Sequence, residues 1–215
     1  MPAELRSLFL EGRAGRLEAL LNPGDPNAPF SSLVCHPHPL HGGTMHNKVV
    51  YHAAKALASF QFPVLRFNFR GAGLSEGTHD EGRGERDDVA VAVDFLWREF
   101  QKPIIFAGFS FGAATGLRAC CSDPRVRALI SLGTPVAVDG RLYNYQFLAS
   151  CTQPKLFISG DRDPFSTKDE LSAVVAQAAK PASLVFIEGA EHFFVGKLAE
   201  MQTAIRQWIE VTLLG

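Results

Sequence analysis

Pro103-Ile104-Ile105-Phe106-Ala107-Gly108-Phe109-Ser110-Phe111-Gly112-Ala113-Ala114-Thr115-Gly116 decides how this chain is read. An apolar, strand-like run passes into Gly-x-Ser-x-Gly and then into Ala113–Cys121, a run of small residues suited to a closely packed helix. Strand, sharp turn and helix are therefore predicted, with the serine at the turn. The glycines have a steric reason, because the residues on either side of such a turn pass too close together for side chains. The serine itself is expected in a strained backbone conformation. Its hydroxyl would project at the start of a helix, whose dipole favours developing negative charge. A Gly/Ser turn without chemistry has the same sequence form, so the context must discriminate.

That context is a succession of short β-rich runs separated by helical patterns. The runs are Ser32–Cys35, Val64–Phe69, Ile104–Phe109, Ala128–Leu132, Leu156–Ser159 and Leu184–Ile187. Several are apolar throughout, as strands buried on both faces of a parallel sheet are. Ser7–Glu11 and Leu17–Leu21 flank Gly12-Arg13-Ala14-Gly15 and read as an antiparallel hairpin at the sheet edge. Val89, Val93, Leu96, Trp97 and Phe100 share one helical face, as do Leu198, Met201, Ile205, Trp208 and Ile209. Thr167-Lys168-Asp169-Glu170 has the form of a capping box. The alternation predicts an α/β domain spanning 1–215, with a mostly parallel twisted sheet of about eight strands covered by helices on both faces. Ligands of such sheets bind beyond the carboxyl ends of the strands.

A serine hydroxyl is a weak nucleophile and needs a base beside it. Among seven histidines, His192 follows the last strand, in Gly189-Ala190-Glu191-His192-Phe193-Phe194. From there it can reach across the strand ends to Ser110. The acid should follow Leu156–Ser159, where Gly160-Asp161-Arg162-Asp163-Pro164 offers two carboxylates. Asp163 lies further out, before the Pro164 turn, and is favoured. Asp161 suits side-chain bonding that organises the turn, and Asp139 is a third candidate. The order Ser…Asp…His matches one of the known chain orders of such triads.

Ser32–Cys35 runs into His36-Pro37-His38-Pro39-Leu40-His41-Gly42-Gly43-Thr44-Met45-His46. Imidazoles bind metals, but this spacing fits no helical zinc motif, and no metal is expected. The segment reads instead as an oxyanion loop whose backbone N–H faces that of Phe111. Pro37 and Pro39 have no N–H, which leaves His38 and Leu40, and His38 is preferred. Arg70, Arg162 and Lys197 could hold an anionic group, although solvated or structural roles are the default. Thr134–Pro154 is too short for a multi-helix lid and offers one short helix near Tyr143–Leu148. The site is expected to be open, walled by the Gly71–Arg86 loop, that helix, Phe109, Phe165 and Phe193.

Composition narrows the partners. Apolar residues make up 47% and charged residues 20%, with a net charge of −1 and no basic block, so neither nucleic acid nor an anionic membrane surface is expected. No apolar run approaches the roughly 18–20 residues that span a bilayer, and the first residues lack a signal peptide's apolar core. Cys35, Cys120, Cys121 and Cys151 have no metal spacing and read as reduced thiols of a cytoplasmic protein. A monomer or homodimer acting on a small molecule fits these features.

These pieces resemble the α/β-hydrolase superfamily over essentially the whole chain. The histidine-rich stretch from His36 to Met45, with Arg66-Phe67-Asn68-Phe69-Arg70-Gly71, resembles a group of small bacterial predicted α/β-superfamily hydrolases. That group is loosely related to the dienelactone hydrolase and dipeptidyl-peptidase-like branches. The resemblance implies the α/β-hydrolase fold, a triad at Ser110, Asp163 and His192, and Phe111 as an oxyanion donor. Dienelactone hydrolases proper have cysteine where Ser110 stands, so the resemblance does not point to dienelactone as the substrate. Hydrolysis of small acyl esters through an acyl-enzyme is expected, with no cofactor. Thioesters, amides and peptides suit the same constellation; a non-catalytic binding protein or a metal-dependent hydrolase are the readings from other classes.

Overall fold

The computed structural model describes residues 4–138 and 140–215, so Asp139 lies outside the described residues. In chain order the strands are β1 (Arg6–Gly12), β2 (Gly15–Asn22), β3 (Ser31–Cys35), β4 (Val64–Phe67), β5 (Ile104–Phe109), β6 (Val126–Leu132), β7 (Ala137–Val138), β8 (Arg141–Leu142), β9 (Lys155–Gly160) and β10 (Ala182–Ile187). The helices are α1 (Lys48–Ala58), α2 (Gly84–Phe100), α3 (Phe111–Cys120), α4 (Lys168–Gln177) and α5 (Leu198–Ile209). Eight strands form one sheet in the order β1-β2-β4-β3-β5-β6-β9-β10. β2 pairs antiparallel with both β1 and β4, and every other neighbouring pair is parallel.

The inner strands are apolar throughout because both of their faces are covered: every residue of β3, β4, β5 and β9 is buried. Alternate side chains go to opposite layers. Leu33, Leu65, Phe106 and Phe157 pack with Val89, Val93 and Leu96 of α2, Leu117 of α3, and Leu171 and Val175 of α4. Val34, Ile105, Ile130 and Ile158 pack with Val49, Val50 and Leu57 of α1 and Met201, Ile205 and Ile209 of α5. The helical faces expected from sequence are thus the covered ones, with Trp97, Phe100 and Trp208 half-buried at the margins. At α4 the Thr167 hydroxyl accepts from the Glu170 N–H while the Glu170 carboxylate accepts from the Thr167 N–H, a complete capping box.

Two local expectations change. β4 stops at Phe67 rather than running on to Phe69: the Asn68 N–H still donates to Glu18 O of β2 (2.8 Å), but the Phe69 N–H turns to His36 Nε2 (2.9 Å). The chain there leaves the ladder to brace a loop. Between β6 and β9, the short helix is one 3-10 stretch at Gln146–Ser150, preceded by the small β7–β8 hairpin. Among the described residues no lid stands over the strand ends. All four cysteines are free, and three of them are buried. Among the described residues no helix is long and apolar enough to cross a membrane.

Candidate active site

Parallel strands deliver their carboxyl ends to one edge of the sheet, and the candidate residues lie just beyond them. Ser110 follows β5 at φ +56°, ψ −119°, a conformation that costs about 1–3 kcal/mol. A Cβ on Gly108 would lie 2.6 Å from Gly112 O, and one on Gly112 would lie 2.4 Å from His36 O. Side chains at either position would force the turn apart or push α3 off β3. The Ser110 N–H donates to Leu132 O (2.9 Å), which ties the turn to β6. Phe111 is the first residue of α3, so its N–H has no acceptor within the helix.

The Ser110 hydroxyl Oγ lies 2.9 Å from His192 Nε2, and His192 Nδ1 lies 2.8 Å from Asp163 Oδ2. Asp163 and His192 are both buried. Asp163 accepts further bonds from the Ser159 hydroxyl (3.1 Å) and the Phe165 N–H (2.9 Å), so the carboxylate is held from β9 and from its own loop. Asp161 instead accepts from the Gly189 N–H (2.8 Å) and joins the two loops that carry Asp163 and His192. The imidazole is boxed by Phe109, Phe165 and Phe193, with ring centroids 4.9, 4.5 and 5.2 Å away. Phe109 is wholly buried, so it supports the ring from behind rather than walling the cleft.

The loop after β3 is positioned by the Arg66–Gly71 stretch, residue by residue. Arg66 Nη1 donates to Met45 O (2.9 Å). The Met45 N–H donates to Asn68 Oδ1 (2.7 Å), and Asn68 Nδ2 donates to Glu18 (2.7 Å). Arg70 forms a buried bidentate pair with Asp88, with a shortest contact of 2.6 Å, so it is structural rather than available to an anion. His36 accepts the Phe69 N–H at Nε2 and meets Pro37 O with Nδ1 (2.6 Å), which fixes the neutral ring with its proton on Nδ1. Burial lowers its pKa to about 4 against the opposing pull of the Pro37 carbonyl.

Within the loop, His38 O accepts from the N–H groups of His41 (3.1 Å) and Gly43 (3.0 Å). The Leu40 N–H donates to His38 Nδ1 (3.3 Å), and the His38 ring lies 4.8 Å from that of Phe111. Among the described residues no three His, Cys, Asp or Glu side chains converge as a metal-binding group would require.

Above Ser110 lies a cleft of about 120 Å³ lined by His38, His41, Gly43, Asn47, Ser110, Phe111, Val138, Tyr143, Phe165, His192 and Phe193. Phe165 and Phe193 are walls, as expected. Of the expected Tyr143–Leu148 segment only Tyr143 reaches the cleft, ahead of the 3-10 turn; the Gly71–Arg86 loop does not, and Val138 of the β7–β8 hairpin is a wall instead. Arg162 is exposed, and Lys197 pairs with Glu200 (3.2 Å).

Sequence reasoning missed Gly133, which follows β6 at φ +51°. A Cβ there would lie 3.1 Å from His192 Cε1 and 2.9 Å from Phe109. Its only signal is a glycine directly after a strand. Ser159 was missed as well, because a serine inside an apolar run shows nothing of the carboxylate above it.

An alpha/beta hydrolase domain model matches residues 38–213. A solved alpha-beta serine hydrolase homologue from Coxiella burnetii is 35% identical, covers 94% of this chain and 96% of its own, and superposes with a TM-score of 0.84. XC6422 from Xanthomonas campestris, described as an a/b serine hydrolase without a lid, is 32% identical over 98% of this chain and 95% of its own, with a TM-score of 0.84. An uncharacterized protein of Rickettsia prowazekii (strain Madrid E) is 36% identical over 211 residues, 94% of this chain and 87% of that protein. With the family model spanning most of the sequence and these relatives 32–36% identical over nearly the whole chain, the chain belongs to the alpha/beta hydrolase family.

Proposed function

We propose that this protein is a serine hydrolase that cleaves small esters through an acyl-enzyme on Ser110, with His192 as general base and Asp163 as its orienting acid. The reading rests on one observation: the unbroken chain from Ser110 Oγ through His192 to Asp163, at 2.9 and 2.8 Å. These are hydrogen-bond distances for a nucleophile, its base and the group that orients the base.

In the first step Ser110 Oγ bonds to the ester carbonyl carbon while its proton passes to His192 Nε2. The carbonyl oxygen takes the negative charge and is met by the N–H groups of Phe111 and His38. Collapse breaks the bond to the alcohol oxygen, which leaves with the proton from His192. Water then gives its proton to His192 while its oxygen attacks the acyl carbon. The second collapse expels Ser110 Oγ, which recovers that proton, and the carboxylic acid departs. Asp163 holds the imidazole with Nδ1 protonated and balances its charge throughout.

His38 is favoured over Leu40 as second donor because the Leu40 N–H is engaged with the His38 ring. The close approach of Gly112 to Cys35 O and His36 O also keeps this loop beside the start of α3. The scheme draws on water alone as co-reactant. The free cysteines fit a reducing compartment such as the cytoplasm.

Covalent labelling tests the proposal. A neutral fluorophosphonate should add once to the wild-type chain by intact mass, not at all to Ser110→Ala, and at least about a hundredfold more slowly to His192→Ala. Circular dichroism would show that both variants are folded. No adduct on folded wild type, or an adduct that survives in Ser110→Ala, would sink the reading.

A further inference from the structure

Beside the Ser110 cleft lies a second, larger one of about 300 Å³. The two share Phe111 and Tyr143, and the second continues along one face of α3. Phe111, Ala114, Thr115 and Arg118 follow one another at helical spacing, so that face runs from the serine to a guanidinium over about 10 Å of helix rise. Arg83 and Arg86 stand on the facing rim.

Charge accounting separates these arginines. Arg83 is engaged by Asp80 (2.8 Å) and Glu81 (3.8 Å). Arg118 donates to Asn144 O (2.7 Å) and lies over the Phe147 ring at 4.4 Å, contacts that hold the side chain, and among the described residues no carboxylate pairs with it. Arg86 is half-buried, and among the described residues no carboxylate pairs with it. The nearby Asp87 is taken up by Arg13 (3.2 Å). The rim is also firmly built: Glu85, fully buried, accepts the N–H groups of Asp80 (2.8 Å) and Gly82 (2.8 Å) beneath the loop. A planar guanidinium with no carboxylate partner among the described residues, facing a cleft that shares two walls with that of Ser110, suits the oxygens of a bound anion.

We infer that this annexe receives an anionic group of the substrate, held by Arg86 and Arg118. The substrate class is then an ester bearing a carboxylate or phosphate several bonds from its scissile carbonyl. The inference deepens the serine-hydrolase reading and rests on it.

Matched esters test it. One series carries the anion on the acyl side, as 4-nitrophenyl monoesters of adipic and suberic acid, and a second carries a carboxylate or phosphate on the alcohol side. Each is paired with its neutral methyl ester, and the readout is the ratio of kcat/KM, anionic over neutral. In wild type at least one series should favour the anionic member by about tenfold or more. The ratio should fall toward one in Arg86→Gln and in Arg118→Gln, recover in part in Arg86→Lys, and shrink with added salt. The position and kind of anion preferred would separate carboxylate from phosphate and acyl side from alcohol side. Ratios near one throughout in wild type, or a preference untouched by both glutamine variants, would overturn the annexe while fluorophosphonate labelling of Ser110 persisted. Loss of labelling would instead mean that the hydrolase reading itself had failed.

Discussion

One half of the Ser110 cleft grows directly from strand ends; the other hangs from a two-strand hairpin. Ser110, Asp163, His192 and residues 36–47 each follow a buried or half-buried strand, and further hydrogen bonds lock them in place: Ser159 to Asp163, Asn68 and Arg66 to Met45, and the backbone N–H of Phe69 to His36. Val138 and Tyr143, across the cleft, come from a segment outside the main sheet. Its ties are the N–H groups of Val136 and Ala137 to Phe165 O (2.9 and 3.2 Å) and the Tyr145 hydroxyl to Pro135 O (2.7 Å). The groups that would make and break bonds are thus held by the fold. The groups that meet the rest of the substrate are held by a local excursion, where sequence can vary at little cost to the core.

The sharpest way to break that comparison is at the two neighbouring carboxylates on the built side. Asp163→Asn should lower kcat/KM by about 10³–10⁴-fold, because an amide can present the wrong tautomer of His192 to Ser110. Asp161→Asn keeps an acceptor for the Gly189 N–H and should stay within about threefold, the scale of one weakened loop hydrogen bond. Steady-state hydrolysis of one short-chain ester by both variants decides the matter. Equal losses would mean that both carboxylates merely shape the loop.

The contrast also explains what could be read from sequence. The buried strands were legible because β-rich runs covered on both faces leave no polar alternation. The turn at Ser110 was legible because glycines at 108 and 112 answer a clash of backbones that only glycine avoids. Asp163 and Asp161 could be ordered by their distance past β9. Arg70 and Arg86 could not be told apart: each is an arginine in a loop-to-helix stretch, and only the third dimension gives Asp88 to one and, among the described residues, no carboxylate to the other. Gly133 was opaque for a similar reason, since its constraint comes from His192, distant in the chain. The β7–β8 hairpin escaped because two-residue strands carry no period.

A smaller effect should appear in stability, and again on the built side. His36 is held neutral with a pKa of about 4, below its ordinary 6.5, so the unfolded chain binds the proton more readily than the folded one. The stabilisation is complete above pH 6.5 and drains away as pH falls toward 4, by about 3 kcal/mol. Urea midpoints measured from pH 7.5 to 4.5 should fall accordingly. His36→Asn should be less stable at pH 7.5, where the Phe69 N–H loses its acceptor, yet show a flatter decline with pH. An unchanged slope would place the acid sensitivity elsewhere.

The least disruptive change belongs to the hairpin. Val138→Ala removes two carbons from the cleft wall and leaves every hydrogen bond of β7 with β8 intact, because those bonds are made by the backbone. At about 0.8 kcal/mol for each buried carbon, KM should rise by no more than about fifteenfold. The proposed reacting groups belong to other elements, so kcat should hold within about twofold. Thermal stability should scarcely move, since Val138 is only half-buried and lies outside both core layers. A fall in kcat at constant KM would reverse the comparison, because the hairpin would then be positioning the reaction centre rather than the substrate's periphery.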